Sequence, residues 1–460
     1  MDIKKLSIDI AIAILSQGAN ALVSALLTLL LPKLLGVEGF GYWQLFIFYA
    51  SYVGLFHLGL NDGVYLVEGG RGRNEIDKRS INSQFFFGAV IELFFSLALI
   101  VFAVFVPLEY DRKIVILATG ILVPVCNTAT FIGYVHQAMN ETKLYSYSVL
   151  GESLVLLLGL ILLMADGCTD YMTYIELYLI AKILRLLFCA VFFVDFFKSG
   201  FLPLKETVRL SIADIRVGVS LMVANIAGSL VVGIARFAID GNWDIATFSV
   251  ASLALSITTF FMMFISQASM VLFPSLRQSC DINLGIAFRK MRDGLNLVLP
   301  LLLLAFYPAK YFLEIWLPDY QSAIGLFLFV FPLCIFEGKM DILGTTFLKV
   351  FRMEKSLLRI NLASMLATFA LVLVSIFIFH SVESILLSTV IVLCGRELYT
   401  EFIISRKLQE RFSSCSFLVV LLSLLFVGVA SIASDAISAL LYVCAYILYS
   451  RFSTKGKCLS

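Results

Sequence analysis

The sequence contains little charge and little proline. Asp, Glu, Lys and Arg make up 14% of its 460 residues, whereas they make up about a quarter of an ordinary soluble domain. Only nine prolines are present, so few positions interrupt a helix. The low charge, together with 60% hydrophobic residues and a mean hydropathy of +0.97, excludes a soluble globular protein and indicates an integral membrane protein.

Groups that bind metals or carry out catalysis are also scarce. The three histidines, His57, His136 and His380, are far apart, and none of the nine cysteines forms a close pair with the spacing of a zinc site. We therefore expect no metal, no resident cofactor and no disulfide framework. A net charge of +2 gives no indication of nucleic-acid binding.

The apolar runs predict the fold class. They are about 20 residues or longer, which suits helices that cross about 30 Å of hydrocarbon. We predict an all-α integral membrane protein with about 14 transmembrane helices. The predicted spans are 7–31, 42–67, 83–106, 114–138, 144–165, 171–196, 214–238, 245–273, 294–317, 321–348, 356–379, 381–405, 415–432 and 435–451.

The positions of Lys and Arg predict the orientation. Of the 34 such residues, 25 fall in loops on the side of the amino terminus, five fall in the opposite loops and four lie inside predicted spans. Cytoplasmic loops carry the excess of Lys and Arg in membrane proteins. Both termini are therefore predicted to be cytoplasmic.

A weak internal repeat predicts two six-helix lobes followed by two C-terminal helices. A slide of 205 residues places Gly36 on Gly241, and a slide of about 212 places NETK (140–143) on RMEK (352–355). These matches fall at equivalent points of a six-plus-six arrangement, which is typical of transporters. The predicted domains are an N-lobe at 1–198, a cytoplasmic linker at 199–213, a C-lobe at 214–407, and two appended spans with a cytoplasmic C-terminus at 408–460.

Three segments resemble a known family. The stretches LPKLLGVEGFGYWQL (31–45), HLGLNDGVY (57–65) and EIWLPDYQSA (314–323) are similar to the O-antigen and polysaccharide lipid flippases of the multidrug/oligosaccharidyl-lipid/polysaccharide (MOP) exporter superfamily. The resemblance implies a bilobed transporter in the bacterial inner membrane, with a central cavity that opens alternately to the cytoplasm and the periplasm. The implied cargo is an oligosaccharide on a polyprenyl pyrophosphate.

Two cations in the sixth predicted span are the leading candidate site. Lys182 and Arg185 lie three residues apart and therefore share one helix face. Intramembrane cations are costly and usually face a bundle interior or a substrate pathway. A pyrophosphate suits such a pair, because Arg offers a planar donor fork and Lys a compact charge. The alternative is a structural ion pair with Glu92 or Glu152.

For each of the other candidate residues the sequence allows a functional and a structural interpretation. Arg236 and Lys339 are predicted to bind substrate, with an interfacial anchor and an interlobe salt-bridge set as the respective alternatives. Glu92 and Glu152 are predicted to bind a coupling H⁺ or Na⁺, unless they only neutralise the cations of span six. Asp62, between Gly59 and Gly63, is predicted to act in gating, with a capping role as the alternative.

These observations predict a transporter, not an enzyme. The leading hypothesis is a lipid-linked oligosaccharide flippase, and the alternative is a cation-coupled multidrug or metabolite antiporter of the same superfamily. No loop is long enough to form a catalytic domain, which argues against a membrane-embedded polymerase or glycosyltransferase. We expect a functional monomer whose partners are its glycolipid cargo, membrane lipids, and polysaccharide polymerase and chain-length machinery.

Overall fold

The computed structural model describes the backbone of residues 3–277 and 281–454, and the side chains of residues 12, 15–263, 265 and 284–453. The described part of the chain consists of helices and short connections, without a strand. It divides into two compact units, Met1–Ile226 and Ala227–Ser460. The predicted all-α class is therefore confirmed, whereas the predicted domain boundaries stay a prediction.

The first unit contains long helices with side-chain caps at two of their starts. Asp77 accepts hydrogen bonds from the backbone N–H groups of Arg79 and Ser80 ahead of α3, and Asp170 accepts one from Met172 ahead of α6. Such caps satisfy donors that have no partner inside the helix. The helices are α1 (Ile3–Ala50), α2 (Leu60–Glu68), α3 (Lys78–Phe105), α4 (Tyr110–Ala138), α5 (Thr142–Ala165), α6 (Tyr171–Val191), α7 (Val194–Phe197) and α8 (Leu204–Asn242), which crosses the unit boundary.

The second unit has shorter, more interrupted helices. A π-helical segment, Met340–Thr345, follows α13 directly, and another, Ser375–Phe379, follows α15. Single π turns occur often at functional sites. The helices are α9 (Ile245–Arg277), α10 (Asp281–Leu301), α11 (Phe306–Trp316), α12 (Gln321–Val330), α13 (Leu333–Lys339), α14 (Thr346–Val350), α15 (Glu354–Val374), α16 (Val382–Lys407), α17 (Ser414–Ile432) and α18 (Asp435–Thr454).

Membrane-crossing helices are numerous in both units. Among the residues that the structure describes, ten helices are long and apolar enough to cross a bilayer, or 11 if the bent pair Pro318–Val330 and Leu333–Val350 counts as one span. The chain is therefore a multi-pass membrane protein, but the predicted count of 14 is not confirmed. The first predicted span and the start of the second lie in α1, whose backbone is non-helical at Gly36. The rest of the second span lies in a short 3-10 helix, Val53–His57, and in α2. Two others coincide with α6 and α16, whose lengths suffice but which carry three or more charged residues each.

A close helix crossing in the first unit joins α2 to the start of α8. Gly59 has a φ of +89° and begins α2 after a break in the chain. A Cβ atom on Gly63 would lie 2.0 Å from the Asp214 carbonyl oxygen, and one on Gly218 would lie 2.1 Å from the Gly59 carbonyl oxygen. Glycine is required here because the two backbones touch.

Candidate functional site

A cluster of three charged side chains lies between α5 and α6. Glu152 Oε1 is 2.6 Å from Lys182 Nζ, and Glu152 Oε2 accepts a hydrogen bond of 2.9 Å from Arg185 Nη1. The Lys182, Arg185 and Glu152 side chains are 13%, 10% and 7% exposed. The structure thus brings together three residues that the sequence singled out, and it identifies Glu152 as the counter-ion of both cations.

Two tyrosine rings hold the cations in place. Lys182 Nζ lies 5.0 Å from the centre of the Tyr178 ring, one helical turn away, and Arg185 Cζ lies 5.5 Å from the Tyr145 ring. A cation is attracted to the face of an aromatic ring, the more so when water is excluded. The rings therefore help to hold two like charges on one face of α6.

The cluster is electrostatically incomplete. One carboxylate faces two cations, so the three side chains carry a net charge of +1. In addition, Arg185 Nε is buried and has no hydrogen-bond partner. A buried donor without a partner costs about 1–3 kcal/mol. The arrangement can therefore accept a further anion, and a phosphate matches the combination of an Arg fork and a Lys point charge.

Glu92 on α3 is a second buried carboxyl group, but it does not neutralise these cations. It is 1% exposed, and its Oε2 atom has no hydrogen-bond partner. No ion pair joins Glu92 to a cation in the part of the chain whose side chains are described. Burial without a partner makes the charged form costly, so binding of H⁺ or Na⁺ at Glu92 would relieve that cost.

Asp62 lies at the helix break of the first unit. It is in the first turn of α2, and its Oδ2 atom is 3.7 Å from His57 Nε2. The His57 Nδ1 atom accepts a hydrogen bond from the Gly59 backbone N–H at 3.0 Å. The break confirms neither the gating nor the capping interpretation, which both stay predictions.

Lys339 is enclosed in an ion cluster of the second unit. Its Nζ atom lies 2.8 Å from Glu397 Oε1 and 2.7 Å from Glu401 Oε2, and its side chain is 1% exposed. Ser416 Oγ donates to Glu401. All of these residues belong to the second unit, and both substrate binding and the interlobe salt-bridge set stay predictions for Lys339. A cargo could reach Lys339 only after this cluster opens.

Sequence analysis missed two members of this cluster. Arg292 of α10 is 3% exposed, and its Nε atom lies 4.0 Å from Glu401 Oε1. Asn296 donates a 3.1 Å hydrogen bond to Ser416 Oγ. Arg292 belongs to a basic stretch that the span pattern assigned to a cytoplasmic loop, so its charge gave no sign of burial.

The remaining cations have local partners. Arg396 Nη2 pairs with Glu337 Oε2. Arg236 Nη2 donates to the Ser252 carbonyl at 3.5 Å. Its predicted role in substrate binding stays a prediction.

An ion-pair cluster at the ends of membrane-crossing helices joins three connections of the first unit. Arg73 Nη1 lies 2.7 Å from Glu141 Oε2, Arg73 Nη2 lies 2.7 Å from Asp195 Oδ1, and Lys78 Nζ lies 2.8 Å from Asp195 Oδ2. Hydrogen bonding from the Arg73 guanidinium, followed by that from Lys78, lowers the pKa of the Asp195 carboxyl below its usual range. The sequence showed these residues only as loop charges, because their partners are far apart in the chain.

The described residues contain several free cysteines and one bonded cysteine. Among them, no group of three or more His, Cys, Asp or Glu side chains is placed to hold a metal ion. Cys415, at the start of α17, is disulfide-bonded, and the other described cysteines are free. A single bonded cysteine is not a disulfide framework, so the expectation that the chain has no such framework stays a prediction.

Comparison by sequence identifies no relative. No family model matches the chain, and no curated protein matches it. The resemblance of the three short segments therefore has no support from whole-sequence similarity.

Comparison by structure finds similar folds. The lipid II flippase MurJ in an inward closed conformation superposes with a TM-score of 0.66 at 14% identity, covering 98% of this chain and 99% of that chain. A multidrug resistance MATE family transporter of the MOP superfamily, in an inward-facing conformation, gives 0.61 at 11% identity, covering 85% and 98%. A mutant MATE transporter of Vibrio cholerae, VcmN, gives 0.51 at 13% identity, covering 90% and 97%.

Proposed function

We propose that this multi-pass membrane protein, which has the fold of MOP superfamily exporters, is an alternating-access lipid flippase. Its proposed cargo is a polyprenyl-pyrophosphate-linked oligosaccharide, an O-antigen or similar surface polysaccharide repeat unit, moved from the cytoplasmic to the periplasmic leaflet. The fold supports a transporter or flippase in general, since one similar structure is a lipid II flippase and others are multidrug transporters. The choice of cargo rests on the first-unit charge cluster.

The observation that carries this choice is that Lys182 and Arg185 share the single carboxylate of Glu152 at 2.6 and 2.9 Å. A lipophilic cation gains nothing from a site with an excess positive charge, whereas a diphosphate does. Arg185 also keeps one buried donor for an incoming acceptor. The cluster therefore favours an anionic headgroup over the cationic drugs of an antiporter.

In the proposed cycle, the cargo diphosphate exchanges with Glu152. The diphosphate brings at least two negative charges, so it can neutralise both cations, whereas the single carboxylate of Glu152 neutralises only one. The released Glu152 then loses its counter-ions in a buried position, where an ionised carboxylate is costly. Binding of H⁺ or Na⁺ to Glu152 would remove that cost and couple the ion to cargo binding.

The test measures periplasm-facing lipid-linked oligosaccharide in cells that lack the native gene. The cells carry the wild-type chain, a Lys182→Gln/Arg185→Gln double variant, or a Lys182→Gln/Arg185→Gln/Glu152→Gln triple variant, at matched membrane levels. The wild type should restore outward-facing glycolipid. Both variants should leave it inside, although the triple variant contains no unpaired charge in the cluster.

The triple variant separates the cargo role from a structural role. A purely structural ion cluster can often be replaced by neutral groups with little loss, so transport by the triple variant would refute cargo binding at Lys182 and Arg185. Failure of the wild type itself to restore outward-facing glycolipid would refute the flippase proposal.

A cation-coupled multidrug or metabolite antiporter is the second candidate, and Glu92 favours it. A buried carboxyl group without a cation partner can bind a proton, Na⁺ or a cationic drug. Efflux of a fluorescent lipophilic cation from cells with the wild type, but not from cells with Glu92→Gln, would favour this function. Equal dye retention in both would count against it.

The cellular setting is part of the proposal. We place the chain in the bacterial inner membrane with both termini in the cytoplasm, acting as a monomer alongside polysaccharide polymerase and chain-length machinery. The excess of Lys and Arg in the loops on the amino-terminal side supports this orientation. A carboxyl-terminal reporter that is active only in the cytoplasm would test it.

A further inference from the structure

A groove of about 520 Å³ runs between α15 and α16 of the second unit. Two cations line it, Arg359 and Arg396, together with the hydroxyl groups of Ser356, Ser364 and Tyr399. No carboxylate is present among its described lining residues, and the remaining wall is mostly aliphatic. The groove is therefore positive and apolar at once.

Arg396 lines the groove and has one donor atom that is not used. Its side chain is 5% exposed, and its Nη2 atom pairs with Glu337. Its Nε atom is buried and has no hydrogen-bond partner. Arg359, one of the other lining residues, is exposed and forms no ion pair with any side chain that the structure describes. The groove thus contains one buried donor and one free charge for an acceptor that the chain itself does not supply.

The helix pair α5–α6 of the first unit corresponds to α15–α16 and shows which residue can pair with an arginine at this position. There, Glu152 of α5 neutralises Arg185 of α6. The slide of about 212 residues that relates the predicted lobes places Glu152 on Ser364 and Arg185 next to Arg396. A hydroxyl group therefore takes the place of the carboxylate within the α15–α16 pair, and Arg396 takes its counter-ion, Glu337, from α13 instead.

One end of the groove opens among further cations. Lys407 Nζ lies 5.5 Å from the centre of the Phe351 ring, so the end of α16 adjoins the start of α15. The exposed basic residues at this end are Arg352, Lys355, Arg406 and Lys407. Basic pockets between membrane-spanning helices on the cytoplasmic side attract anionic lipid headgroups.

We propose that the groove binds an anionic phospholipid of the surrounding bilayer. The phosphate lies between Arg359 and Arg396, with Ser356 and Ser364 as hydroxyl donors, and one acyl chain follows Ala363 and Ala367. Both alanines line the groove and are exposed on a membrane-spanning helix. A soluble anion would gain nothing from this apolar wall, whereas burial of an acyl chain contributes about 0.8 kcal/mol per CH₂ group.

Native mass spectrometry of the full chain released from detergent tests the proposal. The probes are phosphatidylglycerol and phosphatidylcholine of the same acyl length, and the readout is the dissociation constant of the first lipid retained. We expect phosphatidylglycerol to bind about tenfold more tightly than phosphatidylcholine, because the choline cation of phosphatidylcholine competes with the arginines for its own phosphate; a tenfold factor corresponds to about 1.4 kcal/mol. Inorganic phosphate at millimolar concentration should not displace it.

Matched variants locate the site. Arg359→Gln removes a groove charge without breaking an ion pair, and Lys355→Gln removes a charge from the same end outside the groove. Ala367→Phe fills the apolar wall, and Leu366→Phe places the same aromatic ring at an exposed neighbouring position outside the lining. We expect Arg359→Gln and Ala367→Phe to lose most of the preference for phosphatidylglycerol, and both controls to keep it.

Three results would overturn the proposal. Equal retention of both lipids by the wild type would show that the groove does not select anions. Equal losses from Arg359→Gln and Lys355→Gln would indicate diffuse surface attraction. Displacement by inorganic phosphate, or by farnesyl pyrophosphate at far lower concentration than phosphatidylglycerol, would assign the groove to another anion. The first two results are independent of whether the chain transports a glycolipid, whereas displacement by farnesyl pyrophosphate would assign the groove to the proposed cargo.

Discussion

Replacing Glu152 by Gln removes the one carboxylate that Lys182 and Arg185 share. The side chain keeps its size, so packing between α5 and α6 changes little. What changes is charge, because two buried cations on one helix face lose their common counter-ion. We expect the variant to be less stable than the wild type and, at the same time, better able to bind a diphosphate.

The size of the stability loss follows from the geometry. Removing one partner of a buried ion pair costs about 3–5 kcal/mol, and Glu152 is the partner of two cations at 2.6 and 2.9 Å. The side chains of Lys182 and Arg185 are 13% and 10% exposed, and the Tyr178 and Tyr145 rings remain as partners worth about 0.5–2 kcal/mol each. We therefore expect a loss near the lower end, about 3 kcal/mol.

The assay is the thermal midpoint of the purified full chain in detergent, with and without farnesyl pyrophosphate. The matched control is Glu92→Gln, which makes the same chemical change at a buried carboxyl group of the same unit that has no cation partner. Glu152→Gln should lower the midpoint by several degrees and Glu92→Gln by little. Farnesyl pyrophosphate should raise the midpoint of Glu152→Gln more than that of the wild type.

Two outcomes would refute this reasoning. If Glu92→Gln were the more destabilising change, the assignment of Glu152 as the shared counter-ion would be wrong. The second outcome is that Glu152→Gln loses stability, but farnesyl pyrophosphate raises its thermal midpoint no more than that of the Lys182→Gln/Arg185→Gln/Glu152→Gln variant. The cations would then not bind a diphosphate, and the cluster would be structural.

Three further predictions concern other parts of the chain. Gly218→Ala should lower the thermal midpoint, since its Cβ would lie 2.1 Å from a backbone oxygen and overpacking costs about 1–3 kcal/mol. The control Gly151→Ala should not lower it, because Gly151 borders open space. Equal midpoints for the two variants would count against the close crossing. Lys339→Met should cost about 3–5 kcal/mol by leaving two buried carboxylates together, so an unchanged midpoint would contradict the ion cluster. Asp195→Asn should cost about 1 kcal/mol at pH 7. Because the Arg73 guanidinium lowers the pKa of Asp195, that contribution is full above about pH 5, starts to decrease near about pH 4, and is lost only as the pH falls through the lowered pKa of the folded chain. A difference between variant and wild type that did not decrease at all with falling pH would argue against the pair.

Part of the candidate site could be predicted from the sequence. Lys182, Arg185 and Glu152 stand out because a charge inside an apolar run is rare and costly. The sequence also offered two carboxylates as counter-ions, Glu92 and Glu152, and could not choose between them. The choice depends on which faces of α3 and α5 turn towards α6, and that is set by packing between helices.

The burial of Arg292 could not be predicted from the sequence, for a related reason. Arg292 lies in a basic, polar stretch, and a span pattern assigns such a stretch to a loop. In the folded chain it is 3% exposed and approaches Glu401. Its burial depends on α17 and α16 covering it, more than 100 residues further along the chain. Hydropathy reports only the local run of residues and carries no information on such distant contacts.

The sequence by itself determined that this chain is a multi-pass, all-α membrane protein, because in hydrocarbon a backbone must satisfy its own hydrogen bonds and an apolar run of sufficient length does so as a helix. Only the tertiary structure decided which charges pair. Among the described side chains, Glu152 pairs with Lys182 and Arg185, Glu92 Oε2 has no hydrogen-bond partner, and neither has the Nε atom of Arg396, which lines a groove. Ion pairing depends on distances of a few ångströms between helices, and these are fixed by how side chains of distant segments pack.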